Sequence, residues 1–207
     1  QFVKSVGSMV APYLTTFFIV RFGNWKLTLL TFGVISLLSA SWLISIKIPE
    51  SLLNEKKATF RSCFKLLEIK YVVFMVLAIF FVVGIDVGIN ATSGQFLLIK
   101  IHTSVETAQE GRSLYFFGKM LGTFIGTFLL IRFSSSKFLL ASSIATFLTA
   151  LLFIFSFSPL FAQIIMFLIG LSASNIFPLI FSLTVKEYPE RANEISGLMI
   201  MAVSGGA

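Results

Sequence analysis

Thiols and imidazoles are almost absent from this chain, which has one cysteine, Cys63, and one histidine, His102. A lone cysteine excludes an internal disulfide framework, and together the two residues offer too few ligands for a His or Cys metal centre, so no metal site is expected. Charge is scarce too. Asp, Glu, Lys and Arg make up 12% of 207 residues, about half the share usual in a soluble protein. Apolar residues take their place: 57% of the chain is hydrophobic, Phe alone occurs 25 times, and the mean hydropathy is +0.95.

The apolar residues are gathered into runs near 3–20, 27–46, 71–99, 113–131, 138–157, 160–185 and from 195 onward. Crossing a hydrocarbon core of roughly 30 Å takes about 20 helical residues at 1.5 Å each, and no soluble domain needs seven such stretches. The expected fold is an all-α polytopic transmembrane helix bundle with six complete spans and a partial seventh. The chain opens at Gln1 without an initiator Met and ends inside an apolar run, so both ends read as truncations. Missing parts of the same chain are then partners of what is present.

A formal net charge of +7 invites a nucleic-acid reading, but the distribution of the charge points to membrane topology. With the 47–70 loop in the cytoplasm, Lys47, Lys56, Lys57, Arg61, Lys65, Lys70, Arg132, Lys137, Lys186 and Arg191 lie inside. Only Arg21, Lys26, Lys100 and Arg112 then lie outside, the asymmetry that the positive-inside rule expects. No nucleic-acid partner is expected. Membrane lipid is, and the basic 47–70 loop suits anionic headgroups as a second role.

Most connections are tight turns, whereas 47–70 is a charged linker headed by KIPESLLNEKK. Pro49 ends the second span, and FRSCFKLLEIK has the composition of an amphipathic interfacial helix. One long linker among tight hairpins joins two bundles. Residues 1–46 would be the last two helices of the first, 47–70 the cytoplasmic inter-bundle linker, and 71–207 most of the second.

Polar residues inside the spans carry the functional reading. Asp86 lies about 22 Å along its helix from Tyr71, near mid-membrane. A carboxylate there costs at least about 2.5–3.5 kcal/mol on insertion scales, so it should face a cavity or a partner. Two readings stand: a substrate contact, or a protonated or salt-bridged structural residue. Asn90 lies one turn further on the same face. Gly84, Gly88 and Gly94 in this run permit a bend or an unwound stretch. Lys119, about 10 Å from the outer end of the 113–131 span, either snorkels outward or faces the cavity. Gly118, Gly122 and Gly126 around it form a double GxxxG ridge for close helix packing. Lys4 falls just inside the cytoplasmic face, where it either snorkels or joins the same cavity. Asn175 and Pro178 interrupt the 160–185 run, and Asn175 either faces the cavity or bonds the backbone that Pro178 disturbs.

The stretches QFVKSVGSMVAP, VVGIDVGINATSGQFL, GKMLGTFIG, SNIFPLIFSL and ISGLMIMAVSGGA resemble, in order, helices five, seven, eight, ten and eleven of the fucose, galactose and glucose proton symporters. These belong to the major facilitator superfamily, whose members have twelve helices in two halves. The resemblance implies the major facilitator fold, truncated at both ends and covering about helices five to eleven. The candidate substrate contacts read from the polar residues of the spans are Asp86, Asn90, Lys119, Asn175 and Lys4. Departures accompany it: Lys4 stands where relatives usually show Asn, Thr123 where they carry Arg, and Ala173 where they carry Asn.

The expected function is a secondary active transporter taking up a sugar or a related small polar metabolite by alternating access. It needs no cofactor, and a proton is the expected coupling ion. An exporter or drug-efflux member of the same superfamily is the alternative. The expected site is a bacterial plasma (inner) membrane, and the residues set no oligomeric state. An intramembrane enzyme fits poorly: the spans hold no His or Cys, and no Ser or Lys is paired with an evident base.

The charge asymmetry makes residues 51–68 cytoplasmic and 103–111 external. In the full-length protein carrying Cys63→Ser, a membrane-impermeant maleimide should label Ser104→Cys in intact cells, and Asn54→Cys only after permeabilisation. Equal labelling of both from outside would overturn this topology.

Overall fold

The computed structural model describes residues 2–46 and 59–207, and all regular structure among them is helical. The helices are α1 (Phe2–Phe22), α2 (Lys26–Ser45), α3 (Phe60–Lys65), α4 (Lys70–Lys100), α5 (Val105–Arg132), α6 (Ser135–Ile154), α7 (Pro159–Ala173), α8 (Ile176–Glu187) and α9 (Ala192–Gly206). Six stretches are long and apolar enough to cross a bilayer, the sixth being α7 and α8 together. Their outer faces suit lipid: on α2 alone Leu37, Trp42 and Ile44 are largely exposed. The KIPESLLNEKK segment with Pro49 lies outside the described residues.

Three local features differ from the sequence expectation. The helix around Lys119 begins at Val105 rather than near 113, because Ser104 caps it by accepting a hydrogen bond from the Thr107 amide at 3.2 Å. Lys119 therefore sits at the middle of a 28-residue helix, too deep to snorkel easily. The glycines of α4 leave it continuous from Lys70 to Lys100. The interruption falls instead at Ser174 and Asn175, between α7 and α8. Pro178, in the first turn of α8, has no N–H to give the Ser174 carbonyl, which leaves the helical ladder one bond short at the interruption.

Tight reversals join the spans. Gly23 turns the chain at φ +65° between α1 and α2, a conformation that costs glycine little. His102, at φ 55°, does the same after α4. Pairs at the two ends of the bundle fix the up-and-down order. At one end Tyr71 meets Tyr188 with ring centroids 6.3 Å apart, and Arg191 donates to the Ser62 carbonyl at 3.1 Å. At the other, Lys100 donates to the Ile154 carbonyl at 2.8 Å. Between them lie two apolar clusters. Val72, Ile79, Ile180, Leu198 and Met199 join α4, α8 and α9; Leu97, Tyr115, Ile165 and Met166 join α4, α5 and α7. The FRSCFKLLEIK segment forms α3 and a short 3-10 turn, with Thr59 and Ser62 as a capping box and Cys63 and Leu66 buried.

The closest helix contact is between α5 and α7. A Cβ on Gly118 would run into the backbone of Phe167 and Leu171, one on Gly122 into the Leu171 carbonyl, and one on Gly126 into the Asn175 side chain. From the other side, Gly170 lies against the Tyr115 carbonyl. The glycine ridge is the surface on which two backbones meet. In the full-length protein in detergent, Gly122→Leu should lower the melting temperature by the equivalent of about 1–3 kcal/mol, the usual cost of overpacking. Gly197→Ala, whose Cβ meets only Cys63 Sγ at 3.7 Å, should melt like the parent. Equal melting of both variants would remove the ridge from the packing.

Candidate functional site

Asp86 and Lys119 meet near the middle of their helices, with Lys119 Nζ 2.6 Å from Asp86 Oδ1. The partner of the mid-membrane carboxylate is thus a lysine on the neighbouring helix. Tyr115, one turn before Lys119, donates its hydroxyl to the same oxygen. Its ring also lies under the ammonium, 5.5 Å from Nζ to the centroid. One face of α5 therefore supplies a cation and a hydroxyl to a single carboxylate oxygen, and the Tyr115 ring supplies a π face to that cation. Oδ2 takes no hydrogen bond among the described residues.

This cluster lines a cavity of about 410 Å³, within the range of small-molecule pockets. The walls are mainly apolar, from Val82, Val83, Ile89, Phe147 and Phe177, with polar groups from Ser143, Thr146, Ser174 and Lys4. Lys4 of α1 is exposed at the cavity and makes no ion pair among the described residues. Ser174 and Ile176 reach the cavity from either side of the α7–α8 break, so the interruption opens the wall at the depth of the charged cluster.

Two residues expected in this cavity lie elsewhere. Asn175 is buried, 6% exposed, and its amide donates to the Gly122 carbonyl at 2.7 Å and to Ser174 Oγ at 2.9 Å. It ties α7–α8 to α5 instead of facing the cavity, because the glycine ridge leaves a bare carbonyl within its reach. Asn90 lines a second cavity of about 430 Å³ between α1, α4 and α5. There Arg112 donates to Asn90 Oδ1 through Nε at 3.3 Å and Nη2 at 3.2 Å. Thr16 of α1 donates to Gln109 Oε1 at 3.4 Å across the same space. The helix face that carries Asp86 thus serves two cavities, one turn apart.

Tyr115, Arg112 and Ser174 escaped the sequence reading. Tyr115 was legible through its four-residue spacing from Lys119, which puts both on one face. Arg112 was counted only as an outer charge, since its place inside a cavity follows from the early start of α5.

Apolar helices of bilayer length around a charged mid-depth cavity define a polytopic integral membrane protein. The chain matches the family model described as Major Facilitator Superfamily over residues 1–207, and it belongs to that superfamily. Among curated proteins it is similar to one of Helicobacter pylori strain J99 named "Putative glucose/galactose transporter", 28% identical over 179 residues. The protein of the same name from strain 26695 matches equally, at 28% over 179 residues. The alignment covers 84% of this chain and 42% of each relative, so the chain spans less than half the length of the curated relatives it matches.

The cluster predicts a coupled stability effect. In the full-length protein, Lys119→Met should destabilise more than Asp86→Asn combined with Lys119→Met, because the single change strands a carboxylate without its cation. Thermal unfolding of the four proteins of the cycle should give a coupling of about 0.5–3 kcal/mol in favour of the pair. Simple additivity would mean that the pair contributes nothing.

Proposed function

We infer that the full-length protein is a secondary active transporter that moves a sugar or a related small polar metabolite through the cavity at Asp86. One observation carries this reading: an acceptor-rich carboxylate, held by Lys119 and Tyr115, lines a small-molecule-sized space at mid-membrane depth. Placing a charge there is costly unless it serves a cavity or a pathway. Membership of the superfamily and the names of the Helicobacter relatives support a sugar as substrate. The bacterial origin of those relatives supports a bacterial plasma membrane.

In this reading the free Oδ2 of Asp86 accepts from a substrate hydroxyl, while Ser143, Thr146 and Ser174 offer weaker hydroxyl contacts. Apolar walls such as Phe147 and Phe177 pack the less polar face of a sugar ring. Lys4 and Asn90 contact substrate at the edges of the path, and Asn175 acts through the backbone it holds. Uptake with a proton as coupling ion and alternating access of two bundles completes the proposal. The 1–46 pair, the 47–70 linker and the 71–207 helices take the parts given to them above. The protein does no covalent chemistry on its substrate.

Asp86→Asn in the full-length protein should reduce transport of its sugar at least tenfold with membrane insertion unchanged, about 1.4 kcal/mol. Radiolabelled uptake, normalised to surface protein, measures this. Parental uptake by Asp86→Asn would remove the carboxylate from the site.

A further inference from the structure

The two cavities share an imbalance of charge. Among the described residues that line them, Lys4, Arg112 and Lys119 are cationic, and Asp86 is the one carboxylate. Asp86 neutralises Lys119 at 2.6 Å. Arg112 has a different kind of partner: its Nε and Nη2 both donate to the amide oxygen of Asn90, at 3.3 and 3.2 Å. A neutral amide orients a guanidinium without cancelling its charge. Lys4 makes no ion pair among the described residues.

Cations that line a cavity without a carboxylate beside them attract an anion that passes or binds there. The three groups are also spaced as steps. Arg112 and Lys119 share one face of α5, two turns or about 10 Å apart, with Tyr115 between them. The outer step is a guanidinium whose remaining N–H groups suit a carboxylate fork. The inner step is an ammonium already paired with Asp86, facing the cavity that Lys4 also lines.

We propose that the substrate is an acidic sugar, a polyhydroxy compound bearing a carboxylate, and that Arg112 receives its carboxylate in the outer cavity before Lys119 and Lys4 hold it in the inner one. This rests on the transporter reading above and narrows its substrate class. In the inner cavity the substrate carboxylate competes with Asp86 for Lys119, and the hydroxyls released from water are met by Asp86 and the wall hydroxyls. Neutral hexoses lack the carboxylate that the spare cations would pair with, so a site that hydrogen-bonds this group disfavours them.

The test uses the purified full-length protein and four probes: D-glucuronate, D-galacturonate, D-glucose and D-galactose. The acids differ from the hexoses only in a carboxylate at C6. Equilibrium binding of radiolabelled probes should favour the acids at least tenfold. Arg112→Gln should weaken acid binding at least tenfold while leaving the melting temperature near the parent's. Because Lys119→Met strands Asp86, the inner step is tested with Asp86→Asn combined with Lys119→Met, which removes both charges and should lose the preference for acids. Tighter binding of the hexoses overturns the acidic class and leaves the sugar reading standing. Binding of none of the four, by a protein that melts cooperatively, overturns both. Unchanged acid affinity in Arg112→Gln overturns the outer step.

Discussion

The backbone contact between α5 and α7 is the feature on which the site depends. Gly118 and Gly122 on one helix and Gly170 on the other let main chain meet main chain, which lipid-embedded helices achieve only with small residues. A Cβ on Gly170 would meet the Tyr115 carbonyl and crowd the Lys119 amide at 3.1 Å. The two residues that grip Asp86 are thus set in place by the absence of a side chain on the helix behind them. The other side of the same contact holds the α7–α8 break, since Asn175 bonds the Gly122 carbonyl. Packing and polar chemistry share one seam.

Electrostatics then decides what that seam can hold. A carboxylate and an ammonium at a largely apolar cavity wall neutralise each other, and a hydroxyl on the same oxygen spreads the charge further. Such a pair contributes little net stability against an apolar alternative, because desolvation opposes the Coulomb gain. Its value lies in keeping a polar group available at a depth where an isolated one would not be tolerated. Apolar walls around it raise the strength of any hydrogen bond made there.

Much of this was legible in the residues. Apolar runs marked the helix ends to within a few residues, the start of α5 and the break between α7 and α8 excepted, because hydropathy over such lengths leaves no competing structure. Asp86 and Lys119 stood out for the same reason, each being a charge where charge is costly. What escaped was relational. The partner of Asn175 is a carbonyl on a helix some fifty positions away, invisible to any local pattern, and Pro178 suggested a nearer one. Asn90 shares a helix face with Asp86, yet one turn of rise moves it next to Arg112 and into another cavity. The start of α5 was placed late because its first turns are polar, and there a single capping serine outweighed hydropathy. The glycines of α4 permitted a bend that the packing did not call for.

The break between α7 and α8 also has a mechanical side. A continuous helix is stiff along its axis, whereas two short rods joined by a pair of residues behave as a lever with a pivot. From the pivot at Asn175, α8 runs 12 residues to Glu187, about 18 Å. A tilt of roughly 10° at the pivot carries the far end through about 3 Å, comparable to a side-chain diameter. The pivot lies beside the cavity, and the far end reaches the turn that meets Ser62 through Arg191. A small tilt at the cavity wall would therefore be felt most at the face of the protein that carries α3.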